Sequence, residues 1–357
     1  MKNMKKWIFI WLLSISSLLF VVLFNYIIDP YQQYRKGTLY RLPFEHEKEL
    51  NAGLAKNFDF DMVVLGTSMM QNFNIDDMKN ILNYEKPIKL TIAGSSVYEQ
   101  NIILSTAFRH QKIKNVLVGI DFFSYYGDVH RFKHGGASFP TYLYDENLLN
   151  DYKYLASSDT LGRSFELLFK NSSDEWIYDY TKMYEWKSRT NDENILSAIK
   201  NKWENRKYFD DEAKEEEKKL HYLIDNFDLN LKPFFQKHKN TNFVLFFPPY
   251  SILAYKAFEE RGELKDFLEF KKHIIKSVVN QTNVKIYDFQ LAEDITYNLY
   301  NYYDLYHYNK EISKWILTQI ATNNYLIKSE NEYQMNIFLS DIVNYKVSDD
   351  SFVEVKK

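Results

Sequence analysis

Asp61-Met-Val-Val-Leu-Gly66-Thr67-Ser68-Met69 sets an apolar run against a glycine, a threonine and a serine. An uninterrupted apolar run that closes on glycine reads as a strand buried on both faces, because such a strand has no solvent side to show as polar alternation. The residues beyond it, Ile75 to Leu82, read as a helix with Asp76 and Asp77 in the first turn, where acidic groups meet the positive end of the helix dipole. The stretch therefore predicts a strand, a turn carrying Ser68, and a helix.

Outward from this unit the alternation repeats. Ile88 to Ile92 reads as a second strand ending at Ala93-Gly94-Ser95-Ser96, Val97 to Arg109 as a helix, and Val116 to Ile120 as a third strand closing at Asp121. From residue 125 to 240 the pattern gives way to charged, Tyr-rich, mostly helical sequence, in which the run Asp210 to Lys219 reads as a solvated helix face. Phe243 to Phe247 and Val284 to Asp288 restore the strands, with helices expected over Leu264 to Asn280, Phe289 to Tyr300 and Lys310 to Ile327. Strands alternating with helices imply parallel pairing with helices on both faces. The expected fold is a flavodoxin-like three-layer α/β/α domain, residues 58–328, with a five-stranded parallel sheet and a largely helical insertion (125–240) between strands 3 and 4. The tail 329–357 receives no role.

At the N-terminus, Trp7 to Ile28 is uncharged, and its 22 residues exceed the ~20 that span a bilayer as a helix. The segment is also longer than the core of a cleaved signal peptide, and no small-residue cleavage site follows. Lys2, Lys5 and Lys6 precede it, so the positive-inside bias predicts a cytoplasmic tail at 1–6, a transmembrane anchor at 7–28 and everything after Asp29 outside the cell, beginning with a connecting region at 29–57.

The chain is 45% hydrophobic and 26% charged, which suits a large core under a solvated surface. A formal net charge of -3 offers no basic footprint for nucleic acid. With no cysteine, thiolate catalysis, disulfides and Cys-ligated zinc are all excluded.

In open α/β sheets ligands lie beyond the carboxyl ends of the strands. Ser68 follows the first strand, at a helix start whose N–H groups could serve an oxyanion, although Gly-Thr-Ser is also ordinary capping chemistry. Gly94 follows the second strand and permits close backbone approach or simply a tight turn. Asp121 follows the third, where it could bind a polar group or cap a turn. Asp304-Leu-Tyr-His307 follows the last strand; a carboxylate three residues before a histidine can hold Nδ1–H and leave Nε2 free to take a serine proton. Pro248-Pro249-Tyr250, after the fourth strand, reads as a rim of the cleft. His130 and His134 have the i, i+4 spacing of zinc ligands, but no glutamate follows the first and basic residues flank them, so no metal is assigned.

Taken together these segments resemble the SGNH/GDSL hydrolase superfamily, and within it the membrane-tethered bacterial members tied to cell-envelope polymers. Gly66-Thr67-Ser68-Met69 looks like the first block, Gly94 like the oxyanion glycine of the second, and Asp304 with His307 like the last. Tyr26-Ile-Ile-Asp29-Pro30-Tyr31 is similar to the stretch leaving the membrane in such proteins. The resemblance implies a Ser68–His307–Asp304 triad, no cofactor, an acylated cell-wall or surface polysaccharide as substrate, and a membrane-bound acyltransferase as a possible partner. One block departs from the pattern: the usual Gly-x-Asn is Gly119-Ile120-Asp121, and an anionic aspartate cannot donate to an oxyanion. Either Asp121 is protonated, or the hole rests on the Ser68 and Gly94 N–H groups, or Asp121 binds substrate.

Overall fold

The chain opens with a helix, Lys2–Ile28 (α1), long and apolar enough over Asn3–Ile28 to cross a membrane. The computed structural model describes residues 2–133, 135, 139–169, 173–186, 195–206, 218–329 and 340–352. Where the chain leaves α1 it turns sharply at Asp29, a buried residue with φ 49°. Its carboxylate accepts from the N–H groups of Gln33 (2.8 Å), Tyr34 (2.8 Å) and Arg35 (3.2 Å) and from the Tyr154 hydroxyl (3.0 Å), so one buried charge fixes the turn and ties it to the insertion.

The stretch read as a connector contains a helix, Glu47–Asn57 (α2), which buries Leu50 through Ala55. At Gly53 a side chain would stand 2.0 Å from the Tyr31 carbonyl, which is why glycine occupies the crossing between helix and connector.

Then come Met62–Leu65 (β1), Ile75–Leu82 (α3), Pro87–Lys89 (β2), Val97–His110 (α4) and Asn115–Gly119 (β3). Asn74 caps α3 by accepting from the N–H groups of Asp76 and Asp77, and Ser96 with Glu99 closes a capping box on α4. The insertion carries Tyr152–Leu155 (α5), Ser158–Phe169 (α6), Ile195–Glu204 (α7), Leu220–Asn230 (α8) and Lys232–Lys237 (α9), joined in part by 3₁₀ turns. Asn242–Phe247 (β4), Ile252–Glu260 (α10), Leu264–Val278 (α11), Val284–Asp288 (β5), Glu293–Thr296 (α12) and Lys310–Thr322 (α13) follow.

All five strands pair in parallel in the order β2-β1-β3-β4-β5. This is the flavodoxin-like order. α3 and α13 pack together on one face, while α2, α4, α8 and α11 form a continuous layer on the other. Every residue of β1 is buried, as the apolar run predicted.

Three elements differ from their sequence expectation. The ladder of β2 continues past Lys89 through Leu90 N–H to the Val64 carbonyl and Ile92 N–H to the Gly66 carbonyl, but without regular strand pairing. Residues 289–300 form not one helix but short turns around α12, because Asp288 and Asn298 cap the local N–H groups of Gln290 and Tyr300. α13 stops at Thr322, where Asn323 takes a left-handed cap and the chain returns to bridge Leu326 to Tyr287. The charged run Asp210 to Lys219 lies outside the described residues except for Lys218 and Lys219.

Candidate active site

Parallel strands deliver their ends to one edge of the sheet, and the polar residues after β1, β2, β3 and β5 meet there. After β1, Gly66 adopts φ 143°, and a Cβ at this position would come within 2.6 Å of Met70 Cγ. Glycine therefore permits the tight 3₁₀ turn Ser68–Met70. The Thr67 hydroxyl caps that turn, accepting from Met69 N–H at 3.3 Å, and leaves Ser68 partly exposed.

The histidine arrives on a loop closed on itself. Tyr302 bridges Tyr308, Tyr303 N–H donates to the His307 carbonyl at 2.8 Å, and the Ser251 hydroxyl holds the Leu305 carbonyl at 2.6 Å. The Tyr308 hydroxyl donates to the Met69 carbonyl at 2.9 Å, which pins this loop to the serine turn.

The Ser68 Oγ lies 2.9 Å from His307 Nε2, and His307 Nδ1 lies 2.8 Å from Asp304 Oδ2. The other carboxylate oxygen of Asp304 accepts from the N–H groups of Tyr306 (2.8 Å) and His307 (2.9 Å). Burial by itself would raise the Asp304 carboxyl, but the charge and hydrogen bonds of His307, with the Tyr306 N–H, outweigh it and bring it down to about 2. An anionic Asp304 must accept at Nδ1–H, which makes Nε2 the acceptor for the serine proton. Such a series can abstract the proton of Ser68 Oγ as it attacks an electrophilic carbon.

Gly94, with φ 62°, lies five residues beyond β2, two residues after Ile92, whose N–H donates to the Gly66 carbonyl. The Lys133 ammonium lies over it: a Cβ on Gly94 would be 2.0 Å from Nζ. Asp121 is buried and faces inward, accepting from the Thr67 hydroxyl and the Tyr250 hydroxyl, each at 2.5 Å. Tyr250 is fully buried, so this residue forms part of the floor beneath the site and not its rim. Burial, the Asp121 charge and this hydrogen bond all push the Tyr250 phenol well above its ordinary value.

Four side chains that the sequence does not single out complete the surroundings. The Trp186 ring meets the His307 ring edge-on at 4.6 Å between centroids. Its Nε1–H donates to Gln71 Oε1 at 2.5 Å, Gln71 Nε2 donates to Glu47 Oε1 at 2.5 Å, and Glu47 Oε2 accepts from Ala93 N–H at 2.6 Å. Burial raises the Glu47 carboxyl against the lowering effect of these bonds. Lys89, beneath them, is fully buried and donates from Nζ to the Gln71 carbonyl at 2.7 Å. No sequence motif marks these groups; Gln71 follows the serine turn and Lys89 ends β2, whereas Glu47 and Trp186 come from the connector and the insertion with no local signal.

His130 lies beside Tyr98 and Asp128, and His134 lies outside the described residues. Among the described residues no three His, Asp or Glu side chains converge to hold a metal ion.

Fold and site define a three-layer α/β domain with one apolar N-terminal helix and a Ser–His–Asp series at the carboxyl edge of its sheet. No protein-family model matches the chain, and no curated protein matches it.

Proposed function

We propose that this chain is a membrane-anchored, extracytoplasmic serine esterase or O-acyltransferase similar to the SGNH/GDSL hydrolases, acting on acyl esters of a cell-envelope polysaccharide or related polymer. The observation that carries the reading is the unbroken hydrogen-bonded series from Asp304 through His307 to Ser68. The apolar α1, with Lys2, Lys5 and Lys6 at its start, supports a single-pass anchor with a cytoplasmic N-terminus and the α/β domain outside.

In this reaction Ser68 Oγ attacks the ester carbonyl while its proton passes to His307 Nε2, and the imidazolium is held by Asp304. The leaving hydroxyl takes that proton and departs, leaving an acyl-Ser68. Water or a second hydroxyl then gives its proton to Nε2 and attacks the acyl carbon, and His307 returns that proton to Ser68 Oγ as the acyl–oxygen bond breaks. Water makes the protein an esterase; a sugar or polyol makes it a transferase. We assign the oxyanion to the N–H groups of Ser68 and Gly94, with the Lys133 ammonium over Gly94 supplying the positive potential that Asp121 does not.

A second reading is supported by Asp121 alone. Its carboxylate accepts two hydroxyl bonds where the family's asparagine would donate, which suits a non-catalytic scaffold serving a membrane-bound acyltransferase. The two readings separate in one experiment on the full chain in detergent micelles. A fluorophosphonate probe that labels wild type but not Ser68→Ala, together with release of acetate from p-nitrophenyl acetate, supports the enzyme. A folded wild type that takes no label removes it and leaves the scaffold.

A further inference from the structure

Helix α6 is amphipathic the wrong way round for a soluble domain. Its buried side carries Thr160, Arg163 and Ser164 beside one apolar residue, Leu167, whereas Leu161, Phe165, Leu168 and Phe169 recur at i, i+4, i+7 and i+8 and leave Phe165 and Phe169 exposed. The exposure is concentrated. Outside α1, the most exposed large apolar side chains of the described residues are Leu149 (87%), Leu148 (76%), Phe169 (75%) and Tyr152 (63%), all on or just before α5 and α6.

These residues border α1. Phe165 packs on Phe24 with ring centroids 4.8 Å apart, Phe24 stacks on Phe20, and Phe169 stacks on Phe165, so the apolar surface of α1 runs on without a break into α6. Buried Asn25 locks the two together, donating to the carbonyls of Leu155 and Ser157 and accepting from the Ser164 hydroxyl at 3.0 Å. On the other side, the Tyr34 hydroxyl donates to Asp151 at 2.9 Å and its ring meets Tyr26, which joins the segment carrying Leu148 and Leu149 to the outer end of α1. Arg163, on the buried side of α6, pairs with Glu166 at 2.8 Å and Glu45 at 3.2 Å and so does not enter the apolar face.

We propose that the insertion makes a second contact with the bilayer, with α6 and the Leu148-Leu149 turn lying in the headgroup and upper acyl region beside α1. This inference rests on α1 being a membrane anchor. Phe24 sits one helical turn before Ile28, ~6 Å along the axis at ~1.5 Å per residue. Interfacial helices bury their apolar faces to a similar depth, about 5–10 Å. The lipid contact, the Asn25 lock and the Asp29 turn together would hold the α/β domain in one orientation on the membrane instead of letting it swing on a tether. The occupant is lipid because the exposed face is continuous with a lipid-facing helix, and bilayer chemistry already surrounds Phe20 and Phe24.

The absence of cysteine allows single nitroxide labels on the full chain reconstituted in phosphatidylcholine and phosphatidylglycerol vesicles. Labels at Phe169→Cys and Leu149→Cys are compared with Leu18→Cys inside α1 and Lys239→Cys on an exposed loop before β4. Collisions with oxygen exceeding those with a water-soluble nickel chelate, as at Leu18→Cys and opposite to Lys239→Cys, support the proposal, with a depth of about 5–10 Å below the phosphates. Nickel access at both test positions while Leu18→Cys stays in lipid overturns it. Exclusion of both reagents also overturns it, because a second copy or another protein then covers the face. A water-exposed Leu18→Cys removes the anchor itself and the inference with it. The two test positions lie on separate turns, so misfolding of one variant, detected by circular dichroism, leaves the other to decide.

Discussion

The Thr67 hydroxyl donates to the Asp121 carboxylate at 2.5 Å while accepting from Met69 N–H at 3.3 Å, so the residue before Ser68 is held from both sides. Asp121 is buried, and its carboxylate accepts from this hydroxyl and that of Tyr250. Removing one donor leaves a buried carboxylate oxygen unsatisfied. Thr67→Val, close in shape, is expected to cost about 1–3 kcal/mol in urea unfolding. It should also slow fluorophosphonate labelling, because the turn loses its cap; unchanged stability and rate would show that the pair does not organise the turn.

Asp304 fixes the tautomer of His307, and its loss has two separable consequences. Asp304→Asn is expected to reduce the labelling rate by about 10⁴ while Ser68 stays in place, since an amide can donate to Nδ1 and reverse the ring's proton. The second consequence is in stability. The folded-state carboxyl, brought to about 2, lies below its ordinary value of 3.8. The folded state therefore binds fewer protons in that window, so the stabilisation is complete above the ordinary value and is lost as pH falls towards about 2. Urea midpoints of wild type and Asp304→Asn should converge over that range; a constant gap would contradict the linkage.

Lys89 carries the opposite sign. Burial lowers its ammonium to about 7 from an ordinary 10.5, against the raising effect of Glu185 and Asp179. Between those values the unfolded chain holds a proton that the folded chain lacks, so the penalty, fully present below about 7, fades as pH rises towards 10.5. The urea midpoint of wild type should climb relative to Lys89→Met across this window. Parallel profiles would mean that Lys89 titrates normally.

Lys133 stands over Gly94 from the insertion, outside the segments that form the sheet. If its ammonium helps to hold the oxyanion, Lys133→Met lowers the labelling rate by about 10²-fold, the effect typical of one oxyanion donor, with urea stability unchanged. A rate within twofold of wild type would place the oxyanion stabilisation on backbone N–H groups alone.

The strands were legible because a parallel sheet covered on both faces must be written as apolar runs, and β1, β3, β4 and β5 fall within or beside theirs. Ser68, Asp304 and His307 were legible for a related reason: strand ends mark the edge of the sheet where side chains can converge, and the Asp–His pair is three residues apart. The helix α2, which has no side-chain cap at its start, was not, and neither were the broken turns at 289–301, where capping by Asp288 and Asn298 competes locally with helix propensity.

The sequence by itself determined the five strands, the apolar N-terminal helix and the residue types at each strand end, all of which depend on neighbours within a few positions. Tertiary structure decided that Asp121 accepts from Thr67 and Tyr250, that Trp186 stands edge-on to His307 and is tied through Gln71 to Glu47, and that α6 turns its phenylalanines outward beside α1. Those contacts join residues up to 141 positions apart, such as Phe24 and Phe165, and no local periodicity encodes them. They arise only when packing of the buried sheet brings the insertion and the connector against its edge.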